Sequence, residues 1–225
     1  MGLMRGRQAW SLEGRSARSI PLALLVTSAV LFGLIALDVV ASGPLARVDP
    51  HVARWSFEHI SGGEHAWLRR LTHLGDSWLL TVLVVLGMGW LVRGRRYLDA
   101  AMLAAVGAIA GLATIGLKDA FRRSRPAFVD PSELPHSFSF PSGHASGAFA
   151  VYVLLALLLT AGLHAGARVT AVVLGLAVAT LVAVTRVLLP VHYLTDVIAG
   201  GCVGLAVVAA ALLARGGAST GCSSS

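Results

Sequence analysis

The chain has 225 residues, 56% of them hydrophobic and only 13% charged, which is too little polar surface to cover a water-soluble globule of that size. That balance excludes an ordinary soluble domain and points to the membrane. The formal net charge of +7 does not point to nucleic acid, because the basic residues are scattered among loops; anionic lipid headgroups are the expected partners.

Helices that cross the hydrocarbon layer need runs of about 17 to 25 apolar residues, since no water is there to pair with exposed amides. Six stretches qualify, at 20–42, 77–93, 98–117, 145–163, 168–189 and 193–214. The expected fold is therefore all-α, a six-transmembrane-helix bundle with short interfacial helices in the outer loops. It forms one membrane domain over 20–214, preceded by a basic segment, 1–19, and followed by a disordered Gly/Ser-rich tail, 215–225.

The first run follows Arg5, Arg7, Arg15 and Arg18, as a signal peptide would. Its apolar stretch is about twice the length of a signal core, so a retained anchor is expected. Asp38, near its outer end, is expected to reach lipid headgroups, with a buried functional carboxylate as the alternative. The loop after it, about 43–76, carries His51, His59, His65 and His73 among several Trp residues. Interfacial helices explain that mixture. A metal site is the sharper alternative, but no paired ligand spacing with carboxylates stands out.

Lys and Arg, which favour cytoplasmic loops, fall in equal numbers on the two sides. The dense turn "RGRRY" tips the orientation to cytoplasmic N- and C-termini. Gly107 and Gly111, and again Gly200 and Gly204, stand four apart and are expected to let helices approach closely. Cys202 and Cys222 lie too far apart in depth to suggest a bridge.

Three polar islands interrupt the apolar runs: "KDAFRRSRP" at 118–126, "PSGH" at 141–144 and "TRVLLPVHYLTD" at 185–196. In the last, His192 and Asp196 are four residues apart, one above the other on a helical face. A carboxylate that binds one imidazole nitrogen fixes the tautomer and leaves the other as a directed lone pair. Pro190 is expected to end the preceding helix, with Arg186 at its outer end. Lys118, Arg125 and Arg186 at a hydrocarbon boundary call for an anion, and the acids nearby in sequence are Asp119, Asp130, Glu133 and Asp196. Guanidinium forks match phosphate oxygens. In the tetrad, Ser142 offers a hydroxyl, Gly143 permits close approach, the amides opening the next helix face an anion, and His144 can donate a proton.

These islands resemble the signature of the type 2 phosphatidic acid phosphatase superfamily, which also includes the vanadium haloperoxidases. Lys118 is followed by six residues and Arg125-Pro126, the Pro-Ser-Gly-His tetrad is complete, and Arg186 is separated from His192 by five intervening residues, with Asp196 after three more. Thr185 stands where the family usually has Ser, which keeps a hydroxyl. One island would be a weak signal; three in order at these spacings are a strong one.

The resemblance implies a phosphatase working without metal or cofactor. His192 would attack phosphorus to form a phosphohistidine, oriented by Asp196, and His144 would protonate the departing oxygen. Lys118, Arg125, Ser142, Gly143 and Arg186 would hold the phosphoryl oxygens. The expected setting is a bacterial cytoplasmic membrane with the site at its outer face. The expected substrate is a lipid phosphate or diphosphate, undecaprenyl pyrophosphate first, then phosphatidic acid or phosphatidylglycerol phosphate. Phosphotransfer to a lipid or sugar hydroxyl and non-catalytic phospholipid binding or transport are the competing functions; oligomeric state is not legible.

Overall fold

The structure, a computed structural model, describes residues 16–60, 66–128 and 137–218. Among them there is no strand. Eight helices follow one another: α1 (Ser16–Val40), α2 (Pro44–Ile60), α3 (Ala66–Thr72), α4 (Ser77–Arg93), α5 (Tyr97–Phe121), α6 (Gly143–Leu159), α7 (Ala165–Leu188) and α8 (Leu194–Ala218). A 3-10 turn, His73–Gly75, joins α3 to α4.

Each expected run is a helix, with ends that differ by a few residues. Residues 215–218, assigned to the tail, form the last turn of α8, because the Ala-rich run continues without a breaker until Gly216. The remaining tail and the arginines at 5, 7 and 15 lie outside the described residues.

Length and composition alone support fewer than the six spans expected. Four helices, α1, α5, α7 and α8, are long and apolar enough to cross a membrane. A fifth span arises if α4 is joined to α3 and the 3-10 turn across their 47° bend. α6 has 17 residues, about 25 Å at 1.5 Å per residue, short of a hydrocarbon core of about 30 Å.

That short helix is nonetheless the centre of the bundle. It packs against α4, α5, α7 and α8, and Leu154 and Leu158 meet Leu91, Leu103, Val106 and Val208 in the core. The outward faces are apolar as well: Leu34 and Leu37 of α1, Leu112 and Ile115 of α5, and Val173 and Leu174 of α7 are all exposed. Exposed apolar bands of this extent fit a lipid surround. Since lipid is as apolar as leucine, close packing must hold the helices together. Gly200 and Gly204 supply it: a Cβ on Gly200 would lie 3.1 Å from Ala145 Cβ, and one on Gly204 3.0 Å from Ala150 N. Gly107 and Gly111 do not, since a Cβ there meets ordinary contact or open space.

α2 and α3 are the expected interfacial helices, laid over the end of the bundle. α2 turns Asp49, Ala53 and Ser56 inward at helical spacing and leaves Leu45, Val48, Trp55 and Phe57 exposed. Asp38 is not a headgroup ligand. Its carboxylate accepts from the amides of Leu45 (3.3 Å) and Ala46 (2.7 Å), filling two orphan donors at the start of α2. His51 and His59 bond the carbonyls one turn earlier, of Arg47 and Trp55; His65 lies outside the described residues.

Candidate active site

All three polar islands meet at the end of the bundle covered by α2 and α3. α5 stops because Arg122 takes a left-handed conformation (φ 46°) and returns its amide to Lys118 O, uncommon for a residue other than glycine. Lys118 is thereby left in the final turn, and the chain swings Arg123 and Arg125 across the site. The tetrad is pinned from behind by Phe140, fully buried beside Phe32 and Phe121. From the side, the Ser142 amide donates to Asp196 O at 2.9 Å. α7 ends at Leu188, before Pro190, and the amide of His192 returns to Arg186 O at 3.2 Å. Residues about eighty apart in sequence are thus held by a few backbone bonds.

At the centre, His192 Nδ1 faces Asp196 Oδ2 at 3.3 Å, and the Tyr193 amide donates to the same oxygen at 2.9 Å. Arg125 Nη1 approaches His192 Nε2 at 3.2 Å and also donates to Val191 O at 2.8 Å. Asp196 can only accept and arginine can only donate, so the proton belongs on Nδ1 and the lone pair on Nε2. The ring is almost fully enclosed, and burial pushes its pKa down to about 3, even though the Asp196 hydrogen bond and charge act upward. His192 is a neutral imidazole with its lone pair on Nε2.

The cations fall into two kinds. Arg123 is fully engaged: Nη1 bonds Asp196 Oδ1 (2.6 Å) and Thr195 Oγ1 (2.7 Å), and Nη2 bonds Asp49 Oδ2 (2.7 Å). Its guanidinium also lies 4.3 Å from the Tyr193 ring centroid. Lys118, Arg125 and Arg186, by contrast, make no salt bridge among the described residues. They lean on neutral acceptors: Phe138 O for Lys118, Ser137 O for Arg125 and Thr72 Oγ1 for Arg186. Lys118 and Arg186 each feel the charge of Arg125. Ser142 Oγ and Arg186 Nε are buried without a hydrogen-bond partner among the described residues. Unspent donors and mutually repelling cations around a lone pair form a receptor for an oxyanion.

The family model of the PAP2 superfamily matches residues 97–218, the stretch that carries all three islands. This chain belongs to the PAP2 superfamily. It is a membrane-embedded PAP2-type phosphatase, a hydrolase of the kind that works without a metal. It is 37% identical over 139 residues to phosphatidylglycerophosphatase B of Bacillus subtilis (strain 168), covering 60% of this chain and 67% of that one. It is 32% identical over 152 residues to decaprenylphosphoryl-5-phosphoribose phosphatase of Mycobacterium tuberculosis (strain ATCC 25618 / H37Rv), covering 64% and 77% respectively. The crystal structure of a transmembrane PAP2-type phosphatidylglycerolphosphate phosphatase from Bacillus subtilis superposes with a TM-score of 0.72 at 28% identity, over 89% of this chain and 96% of that one.

The remaining predicted residues of the PAP2 site also lie here. Gly143 opens α6, where the first amides have no carbonyl one turn earlier to bond. His144 follows it, its Nε2 held 2.9 Å from Asp76 Oδ1. Thr185, in place of the family's Ser, donates its hydroxyl to Val182 O at 2.7 Å. Of the acids expected near the cations, Asp119 is exposed, and Asp130 and Glu133 lie outside the described residues. Asp196, the fourth, does come near, and it is joined by Asp49 and Asp76, which sequence distance concealed. Asp49 is legible in hindsight as one of the inward residues of an amphipathic helix, and Asp76 as the acidic residue immediately before an apolar run.

Proposed function

We propose that the protein removes phosphate from a lipid phosphate or diphosphate through a phosphohistidine on His192. The observation that carries this reading is the lone pair of Nε2, facing Arg125, a cation that makes no salt bridge among the described residues, while Nδ1 is tied to Asp196. Binding alone does not need a prepared nucleophile. In the first step Nε2 bonds phosphorus as the bond to the leaving oxygen breaks, and that oxygen takes a proton from His144. Lys118, Arg125, Arg186, the Ser142 hydroxyl and the amides at Gly143 hold the other oxygens. Asp196 steadies the positive ring. Water then attacks the phosphohistidine, returning a proton to His144 and freeing phosphate.

The substrate in this reading is a lipid with a terminal phosphate. The two relatives' names, a phosphatidylglycerophosphatase and a decaprenyl-lipid phosphatase, support both glycerolipid and prenyl lipids as classes. Undecaprenyl pyrophosphate, the first choice from the sequence, remains the proposed leading substrate. In the same reading α4 and α6 also span, giving six, with termini in the cytoplasm of a bacterium and the site at the outer face. Phosphate release from undecaprenyl pyrophosphate, phosphatidylglycerol phosphate and phosphatidic acid in detergent with EDTA tests it, with His192→Ala as the blank. Release that survives in His192→Ala refutes the mechanism, and the ranking of the lipids decides the substrate.

A further inference from the structure

Asp76 stands between the 3-10 turn and α4, where an acidic residue normally caps the helix that follows. It does not act as a cap: its side chain makes no bond to the first amides of α4. Both carboxylate oxygens are spent on other side chains. Oδ1 meets His144 Nε2 at 2.9 Å, while Oδ2 meets His73 Nδ1 at 2.7 Å and Trp78 Nε1 at 3.2 Å.

The turn that carries Asp76 is fastened to the site at several points. Tyr152, two turns after His144 on α6, donates its hydroxyl to Leu74 O at 2.8 Å. Gly75 lies against the His144 ring, where an added Cβ would come within 3.1 Å of Cδ2. Thr72 Oγ1 accepts from Arg186 at 2.8 Å. The end of the first outer loop is therefore a wall of the phosphate site.

Resting on the phosphohistidine reading above, we infer that Asp76 is the positioning carboxylate of the general acid, orienting His144 and favouring the protonated ring over the neutral one. With Nε2 occupied by Asp76, Nδ1 is the nitrogen free to face the leaving oxygen. To act as an acid the ring must carry protons on both nitrogens, yet burial and the charges of Arg186 and Lys118 oppose that state. The hydrogen bond and negative charge of Asp76 work against them. During transfer the His192 Nε2–P bond forms, the P–O bond to the lipid breaks, and the Nδ1 proton passes to the lipid oxygen, leaving His144 neutral. The hydrolytic water restores that proton in the second step. The molecule then holds two His–Asp pairs with opposite duties: Asp196 prepares a nucleophile, and Asp76 prepares an acid.

Leaving-group dependence is a readout that a merely structural role would not move. Phosphatidic acid expels an alkoxide and needs the proton; diacylglycerol diphosphate, with the same acyl chains, expels a phosphate and needs it less. Asp76→Asn retains the shape and a hydrogen-bond acceptor but removes the charge. It should lower kcat for phosphatidic acid by about 10²-fold and for the diphosphate by less than about fivefold, matching the selectivity of His144→Ala. The ratio of the two rates, taken on one preparation, is independent of how much of the variant has folded. Asp76→Ala should shift that ratio at least as far. Equal losses on both lipids, or a ratio that stays at the wild-type value while His144→Ala shifts it, overturns the inference and leaves the phosphohistidine reading standing. Undiminished release by His192→Ala, or no release by the wild type, sinks that reading and this inference with it.

Discussion

The two ends of the bundle both bring charge into an apolar interior, and they treat it differently. At the end away from the site, where α5 begins and α6 and α8 finish, Asp99 is shared by Arg96 (2.6 Å) and Arg215. Arg96 also ties Leu158 O at 2.8 Å. There the cations have carboxylates and backbone acceptors, and the cluster staples three helices. At the site end, among the described residues, Arg123 is treated in this way. Lys118, Arg125 and Arg186 make no salt bridge among the described residues and hydrogen-bond neutral acceptors, with Asp196 and Asp76 acting on them only from a distance. A buried cation that a fold needs for itself is supplied with an anion; one reserved for a ligand is not.

That contrast can be broken from either side. The largest effect should come from the unpaired cations. Arg125→Ala or Arg186→Ala should lower kcat/KM by about 10²–10³-fold, as loss of a transition-state donor does. The thermal-unfolding midpoint in detergent should shift little, because the hydrogen bonds lost are to neutral acceptors and the penalty of burying the charge is lost with them. A loss of stability as severe as the loss of activity would mean that these arginines are structural.

The converse holds at the far end. Asp99→Asn leaves two guanidinium groups without their shared carboxylate and should cost about 2 kcal/mol, less than a fully enclosed pair because Arg96 and Arg215 are partly exposed. Turnover per folded molecule should stay within about twofold, which a parallel activity assay and denaturation curve would check.

The smallest effect concerns pH. Burial lowers His192 from 6.5 to about 3, so the imidazole remains neutral and nucleophilic above that value. Between pH 7 and 5, kcat/KM for the diphosphate lipid should change by less than about threefold, whereas a nucleophile titrating at 6.5 would lose roughly 30-fold. The pH profile of the His144→Ala variant isolates the nucleophile.

Most of the helices were legible because their apolar runs are long and have plain breakers: Pro190 marks the end of α7, and the Gly94–Arg96 turn separates α4 from α5. The proposed nucleophile and phosphate cations could be named because their spacings are short and local. What stayed hidden was the company they keep across the fold. The spacing from Lys118 and the following Pro126 single out Arg125, but nothing near Arg123 in sequence shows that it is consumed by Asp49 and Asp196. Asp76 read as the edge of a loop, since its tie to His144 spans the distance from the second apolar run to the fourth. Asp38 was misplaced for the same reason, its partners being the amides of a helix that folds back beneath it. Periodicity reports which residues share a face; it does not report which face is opposite.

The central claim is that Nε2 of His192 bonds phosphorus. Rapid acid-free quenching of the protein during turnover of terminally ³²P-labelled diacylglycerol diphosphate, followed by peptide mapping, tests it directly. An alkali-stable, acid-labile label on the peptide containing His192, absent in His192→Ala, is the result expected. Label on another residue, or steady turnover with no protein-bound phosphate at any time point, would contradict it.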